Sequence, residues 1–270
     1  MQKSMYLMCL LWFSLALSGC GSGFASEVVE TVAAQEVVVP PRPMPTPTPR
    51  PTPRPIPRPT PTPTPTPEPI IMPEIHSVME FAGLKWRVLG TDDYYVLVIS
   101  EYVLGQRWFH HTANDLSWAG SGIRAYLNGE FLENFSDAEL SKIVRTEIST
   151  DPNPWFGTPG GEDTPDLVFL LSLEEVARYF GDSGQLADRA HPGNINDSIH
   201  DEYNPVRIAA NLETKYDSWW WLRSPGLTGR VTFVGICGRM GVDGTTPTNQ
   251  NGGIRPAMWI NYYLLYEYNT

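Results

Sequence analysis

Between Gly226 and Gly252 the chain gathers short hydroxyl, amide and charged side chains on a run punctuated by glycines at 229, 235, 238, 241 and 244. They are Thr228, Arg230, Thr232, Arg239, Asp243, Thr245, Thr246, Thr248, Asn249 and Gln250. Small polar groups on glycine-rich turns make an adaptable hydrogen-bonding surface of the kind antibody loops use. The flanking tryptophans at 219, 220, 221 and 259 supply rigid apolar area, and aromatic faces stack on sugar rings or peptide side chains. In a strand, alternate residues face opposite ways, so Trp219 and Trp221 share a face opposite Trp220, and one of the two faces is expected to be partly exposed. A second group is Glu162, Asp163 and Asp166 in a Gly/Pro-rich loop, hard carboxylates that could hold calcium; a solvated turn capping the next strand is the competing reading. The histidine pair His110-His111 and the group His191, His200, Asp201 and Glu202 lack a zinc-binding i, i+4 spacing. Cys237 sits in Val234-Gly235-Ile236-Cys237-Gly238, which reads as a buried strand, so it is expected to be a small core residue rather than a nucleophile. No phosphate loop, serine elbow or Ser/His/Asp spacing is present.

These groups must be positioned by the elements around them. Val78–Leu89 and Tyr94–Tyr102 read as two strands joined at Gly90-Thr91-Asp92-Asp93. Gly122–Phe131 reads as a helix, with Ile123, Tyr126 and Leu127 on one face. Ser136-Asp137-Ala138-Glu139 and Ser172-Leu173-Glu174-Glu175 are capping boxes that open two more helices. Residues 151–166 read as loop, 167–171 as a buried strand, 182–205 as a polar excursion and 206–212 as a helical turn. Strands follow at 219–223, 231–237 and 254–262. Helices in the first two thirds with strands at both ends make an α+β domain. Arg223 and Arg255, each inside an apolar strand, are expected to be structural cations paired with carboxylates.

The 270 residues carry 19 Lys+Arg against 30 Asp+Glu, a formal net charge of -11, which argues against a nucleic-acid binder, since that needs a basic face. Five basic and five acidic residues precede residue 76 and cancel, so the excess sits on the body. Of the 26 prolines, 17 lie from Pro40 to Pro73. From Pro43 to Pro69 every second residue is proline, which removes backbone donors and favours extended conformations. The expectation is a semi-rigid polyproline rod over residues 40–75, about 3.1 Å per residue and on the order of 100 Å in reach. It reads as a plain soluble stalk, in preference to a role for its arginines or threonines in wall contacts.

At the N-terminus, Lys3 precedes an apolar run from Met5 to Leu17, too short to span a bilayer as a mature helix. Leu17-Ser18-Gly19-Cys20 then resembles the lipobox of bacterial lipoproteins, which implies removal of residues 1–19 and a lipid on the Cys20 thiol, with 20–39 as a tether. Cys9 leaves with the signal, so Cys237 alone remains in the body and no internal disulfide is expected.

Five strings within residues 76–270 occur in order. They are Leu84-Lys85-Trp86-Arg87-Val88-Leu89, Ile123–Phe131, Asp163–Ser172, Trp220-Trp221-Leu222-Arg223-Ser224-Pro225-Gly226 and Gly252-Gly253-Ile254-Arg255-Pro256-Ala257-Met258-Trp259. The set resembles a family of bacterial extracellular domains of unknown function, common in Firmicute lipoproteins. The last two also resemble the end of the C-type-lectin-like fold, in the branch of formylglycine-generating-enzyme-like domains and the variable proteins of diversity-generating retroelements. That resemblance implies a Trp/Leu-Arg strand and a closing Gly-x-Arg strand that bracket a ligand-facing segment. The formylglycine-generating enzyme needs copper-site cysteines, and this body has only Cys237, so catalysis is not expected. The combined expectation is a lipid-anchored, extracytoplasmic surface protein that binds a glycan or protein through Trp219, Trp221 and the polar residues of 226–250, without a cofactor unless calcium. The alternatives are an extracellular enzyme on wall glycans or peptides that uses loop carboxylates, and a structural surface protein.

Overall fold

Two capping boxes organise the helical part as the local sequence dictates. The Ser136 hydroxyl accepts from the Glu139 N–H while the Glu139 carboxylate accepts from the Ser136 N–H, and Ser172 and Glu175 repeat the arrangement. The second box starts a helix that buries Leu173, Val176, Ala177 and Phe180 and stops at Gly181, whose φ is +113°. At that position a Cβ would lie 2.1 Å from the Tyr203 ring. In the computed structural model the described residues are 71–113, 117–189 and 197–266. The expected export signal, Cys20, the expected tether and the expected proline rod to residue 70 lie outside them, as does His191. No helix among the described residues is long and apolar enough to cross a membrane.

Two sheets carry the architecture. The first has strand order β1-β2-β3-β15-β5 and is antiparallel throughout, with β1 Val78–Phe81, β2 Leu84–Asp92, β3 Tyr95–Ser100, β5 Ile143–Val144 and β15 Ala257–Asn261. The second has order β4-β14-β11-β12-β13-β8, with β4 Gly105–Gln106, β8 Ser198–Ile199, β11 Trp220–Pro225, β12 Val231–Val234, β13 Met240–Thr245 and β14 Gly253–Ile254. Its only parallel pair is β11 with β14, Trp220 opposite Gly253. Two small ladders, β6 Thr146–Ile148 with β7 Thr164–Asp166 and β9 Ala209–Ala210 with β10 Asp217–Ser218, complete the strands. The helices are α1 Gly122–Leu127, α2 Asp137–Leu140, α3 Leu173–Phe180, α4 Gln185–Asp188, α5 Asn204–Arg207 and α6 Tyr263–Tyr266. The class is α+β, as expected.

Several expected elements are shorter or divided. The stretch 78–89 contains a turn at Ala82-Gly83, both with positive φ, and so forms two strands rather than one. The helix expected over 122–131 ends at Leu127, and a 3₁₀ turn, Glu130–Asn134, follows. The helix opened by Ser136 ends at Leu140, and Ile143 and Val144 beyond it pair with β15. Residues 167–171 are largely buried but make one bridge only, Phe169 with Ala257.

Charged side chains knit the core. Arg223 holds Glu175 in a two-pronged ion pair and also donates to the carbonyls of Leu170 and Ser149 and the Thr150 hydroxyl. This is the carboxylate pairing expected for it. Arg255 corrects the matching expectation: among the described residues it has no carboxylate within salt-bridge distance. It is 2 % exposed, its Nε–H donates 2.9 Å to the Ser100 carbonyl, and its guanidinium lies 5.0 Å from the Trp220 ring centre and 5.4 Å from that of Phe180. Burial pushes its pKa down to about 10 against the pull of Glu101. Arg255-Pro256 is the step by which the chain leaves the second sheet at β14 and enters the first at β15.

Candidate functional site

The tryptophan triplet shows how the second sheet divides its faces. Trp220 points to one side, against Phe180 at 6.4 Å between ring centres, and its Nε1–H donates to the Arg207 carbonyl at 3.2 Å. Trp219 and Trp221 share the other side, edge to face at 4.7 Å. Cross-strand register adds Phe233 beside Trp221 and Gly241 beside Phe233. A Cβ on Gly241 would stand 2.4 Å from the Phe233 ring, so the absent side chain lets that ring lie across β13.

The two tryptophans on this side differ in cover. Trp221 is fully buried beneath Phe109, and its Nε1–H donates 2.8 Å to the Arg107 carbonyl. That corrects its expected role in ligand contact: the segment 107–109, anchored on Pro247 and Gly252, covers this part of the face. Trp219 is only partly buried and stacks edge to face on Phe233 at 5.5 Å. Here the cover stops. An open groove of about 330 Å³ is lined by Trp219, Phe233, Gly235, Ile236, Arg239, Thr245 and Asn249.

Four of the expected ligand residues thus meet at one place: Trp219, Arg239, Thr245 and Asn249. Arg239 lies along the floor, its side chain over Gly235, where a Cβ would fall 2.9 Å from the Arg239 Cγ. Its guanidinium sits 5.3 Å from the Phe233 ring centre and donates to the Ser198 hydroxyl. Phe233, Ile236 and Ser198 were not anticipated. A glycine within a strand, Gly241, was the local sign that a ring must lie opposite it. Ile236 is 58 % exposed and Cys237 beside it is exposed as well, because residues 235–238 form the turn between β12 and β13. The expected buried strand over 231–237 therefore ends at Val234, and Cys237 is a surface thiol rather than a core residue.

The remaining residues go elsewhere. Thr232 is fully buried and donates to the Ser224 carbonyl at 2.8 Å, which corrects its placement among the ligand contacts. Arg230 and Asp243 pair at 2.9 Å at the end of β12 opposite the groove. Burial pushes the Asp243 carboxyl above its ordinary range, against the opposing pull of Arg230. Arg230 also helps line a larger cleft of about 730 Å³ with Thr228, Glu162, Ser117 and backbone at Gly120, Gly161 and Gly229. Among the described residues no aromatic ring lines this cleft. Thr246 and Thr248 are exposed and hydrogen-bonded to each other at 3.0 Å, and Gln250 is exposed. Residues 226–250 are thus not one ligand-facing loop but two strands whose ends serve two different openings.

The expected carboxylate cluster also separates. Glu162 and Asp163 are exposed, whereas Asp166 is fully buried and accepts from Trp118 Nε1 at 2.7 Å, the Thr164 hydroxyl at 2.8 Å and Arg124. Asp166 is bound up in the core and does not join the other two as a calcium ligand. Among the described residues no group of three or more His, Cys, Asp or Glu is arranged to hold a metal.

Apolar and aromatic walls, a flat cation and a rim of short polar groups suit a ligand with one apolar face and several hydrogen-bonding groups. A model of a family described as a domain of unknown function (DUF6273) matches residues 94–262, more than half of the chain and the whole of this site. No curated protein and no solved structure matches it. The chain, with its tryptophan triplet and its Gly-Gly-Ile-Arg crossover inside the matched region, belongs to the DUF6273 family.

Proposed function

We propose that the body is a non-catalytic ligand-binding module of the cell surface, anchored by lipid on Cys20 and raised from the membrane by the proline-rich stalk. The observation that carries the binding reading is the groove at Trp219 and Phe233. Two aromatic rings stand at the surface there because the cover on their sheet face ends, and the polar rim beside them comes from Arg239, Thr245 and Asn249. A saccharide presents the matching chemistry, a C–H face for the rings and hydroxyls for the rim. The C-type-lectin-like reading belongs to the same proposal. It is supported by the pairing of the Trp-Leu-Arg strand β11 with β14, the start of the Gly-x-Arg stretch.

The test is a glycan array probed with the chain from residue 20 onward carrying Cys20→Ser. Retention of at least one glycan class by this chain, and its loss in Trp219→Ala with unchanged far-UV circular dichroism, is the expected result. Binding that ignores Trp219 removes the groove from the proposal, and an array without any retained glycan removes saccharide recognition. For the anchor, the full chain should partition with membranes and Cys20→Ser should release it; equal partitioning of both would refute lipidation.

A further inference from the structure

The groove's cation narrows the ligand, on the reading just given. The protein carries an excess of negative charge, and seven arginines among the described residues are paired with carboxylates. Arg239 is not one of them. It has no carboxylate within 4.0 Å among the described residues, and yet its position is fixed from three sides. The stem rests on Gly235, the guanidinium faces Phe233, and one Nη donates to Ser198 on the neighbouring strand β8. A guanidinium held flat and partly desolvated, with donors left over, is preorganised for a planar anion.

We propose that the groove binds a sugar ring bearing a carboxylate, a uronic-acid-type residue, stacked on Trp219 with its carboxylate on Arg239. Thr245 and Asn249 on the rim take ring hydroxyls. The wall of two rings around a shallow opening favours a flat ring over a peptide side chain, which would need a deeper pocket for its apolar part. The excess negative charge of the protein opposes the approach of an anion. At physiological salt that repulsion is screened beyond about 8 Å, so the contact is decided inside the groove.

The probes are a uronic-acid oligosaccharide, its carboxyl-reduced neutral counterpart, a polyol phosphate polymer and a peptide with a free C-terminal carboxylate. They are titrated into the Cys20→Ser chain by calorimetry. The expected result is binding of the uronic-acid oligosaccharide, weakened on the order of ten-fold or more by carboxyl reduction. Arg239→Gln should lower affinity for the acidic sugar by a similar factor and change affinity for the neutral one less than about two-fold. Comparison of the two sugars on the unaltered chain needs no variant to fold. Equal affinity for the acidic and neutral sugars overturns the proposal while leaving saccharide binding in place. Preference for the phosphate polymer or the peptide overturns it too, by assigning Arg239 another anion. Failure of every probe overturns this proposal, while saccharide recognition as such stands or falls on the glycan array.

Discussion

Replacement of Gly252 by alanine tests whether the second sheet is built as described. The backbone there is not in the left-handed region, so any cost must come from contact alone. A Cβ at 252 would stand 1.9 Å from Trp221 Nε1 and 2.2 Å from Cε2. Ordinary contact begins near 3.4 Å, so the indole must retreat by about 1.5 Å. The indole has nowhere to go: it is fully buried, with Phe109 on one side and Trp219 on another. Retreat also breaks its 2.8 Å hydrogen bond to the Arg107 carbonyl. Overpacking costs ~1–3 kcal/mol and a buried N–H without a partner another ~1–3 kcal/mol, so the loss is ~2–6 kcal/mol. Urea unfolding followed by far-UV circular dichroism reads it as a midpoint lowered by about 1–3 M at a slope of ~2 kcal/mol/M. Gly105→Ala is the control, since a Cβ there meets nothing within 4 Å and the backbone is not left-handed; it should stay within about 0.5 kcal/mol. If Gly252→Ala proves as mild as Gly105→Ala, the account of why glycine follows the polar segment is wrong.

Arg223→Ala leaves Glu175 without its cation near the core and should cost ~3–5 kcal/mol in the same urea assay, and a loss under ~1 kcal/mol would show the pair to be dispensable. Asp243 gives a pH signature. Its carboxyl is raised above the ordinary 3.8, so the folded chain holds that proton more tightly than the unfolded chain does. Its contribution to stability is therefore full below 3.8 and is lost as pH rises through its own higher value. The stability difference between the protein and Asp243→Asn should move in that sense across that window, and a difference flat from pH 3 to 7 would contradict the shift. Cys237 should react at once with a thiol reagent in the folded chain carrying Cys9→Ser and Cys20→Ser, whereas reaction only after denaturant would put it back in the core.

What the sequence disclosed was mostly local. Both capping boxes and the opposition of Trp220 to Trp219 and Trp221 follow from spacings of one to four residues, and all are present. Which tryptophan stays at the surface was not legible, because the cover on Trp221 comes from Phe109, 112 positions away in the chain. Residue type also misled at Thr232. Counted with the short polar groups of 226–250, Thr232 satisfies its hydroxyl on the Ser224 carbonyl and goes inside, while Phe233 next to it is partly exposed. Cys237 was misplaced because a run of apolar residues hides a turn when its glycines, Gly235 and Gly238, are read as strand. The groove was half visible: the polar residues that line it stood out by type, but their meeting point depends on how β12 and β13 fold back on each other.

The strand order of the first sheet bears on how this chain is made. β15, residues 257–261, lies between β3 and β5, and among the described residues β5 has no other strand to pair with. During synthesis from the N-terminus, the hairpins β1–β3 emerge early but wait for more than 150 residues before their neighbour exists. A nascent chain of this kind holds off closure of the sheet until β15 has been made, and contacts so distant in sequence make that closure slow.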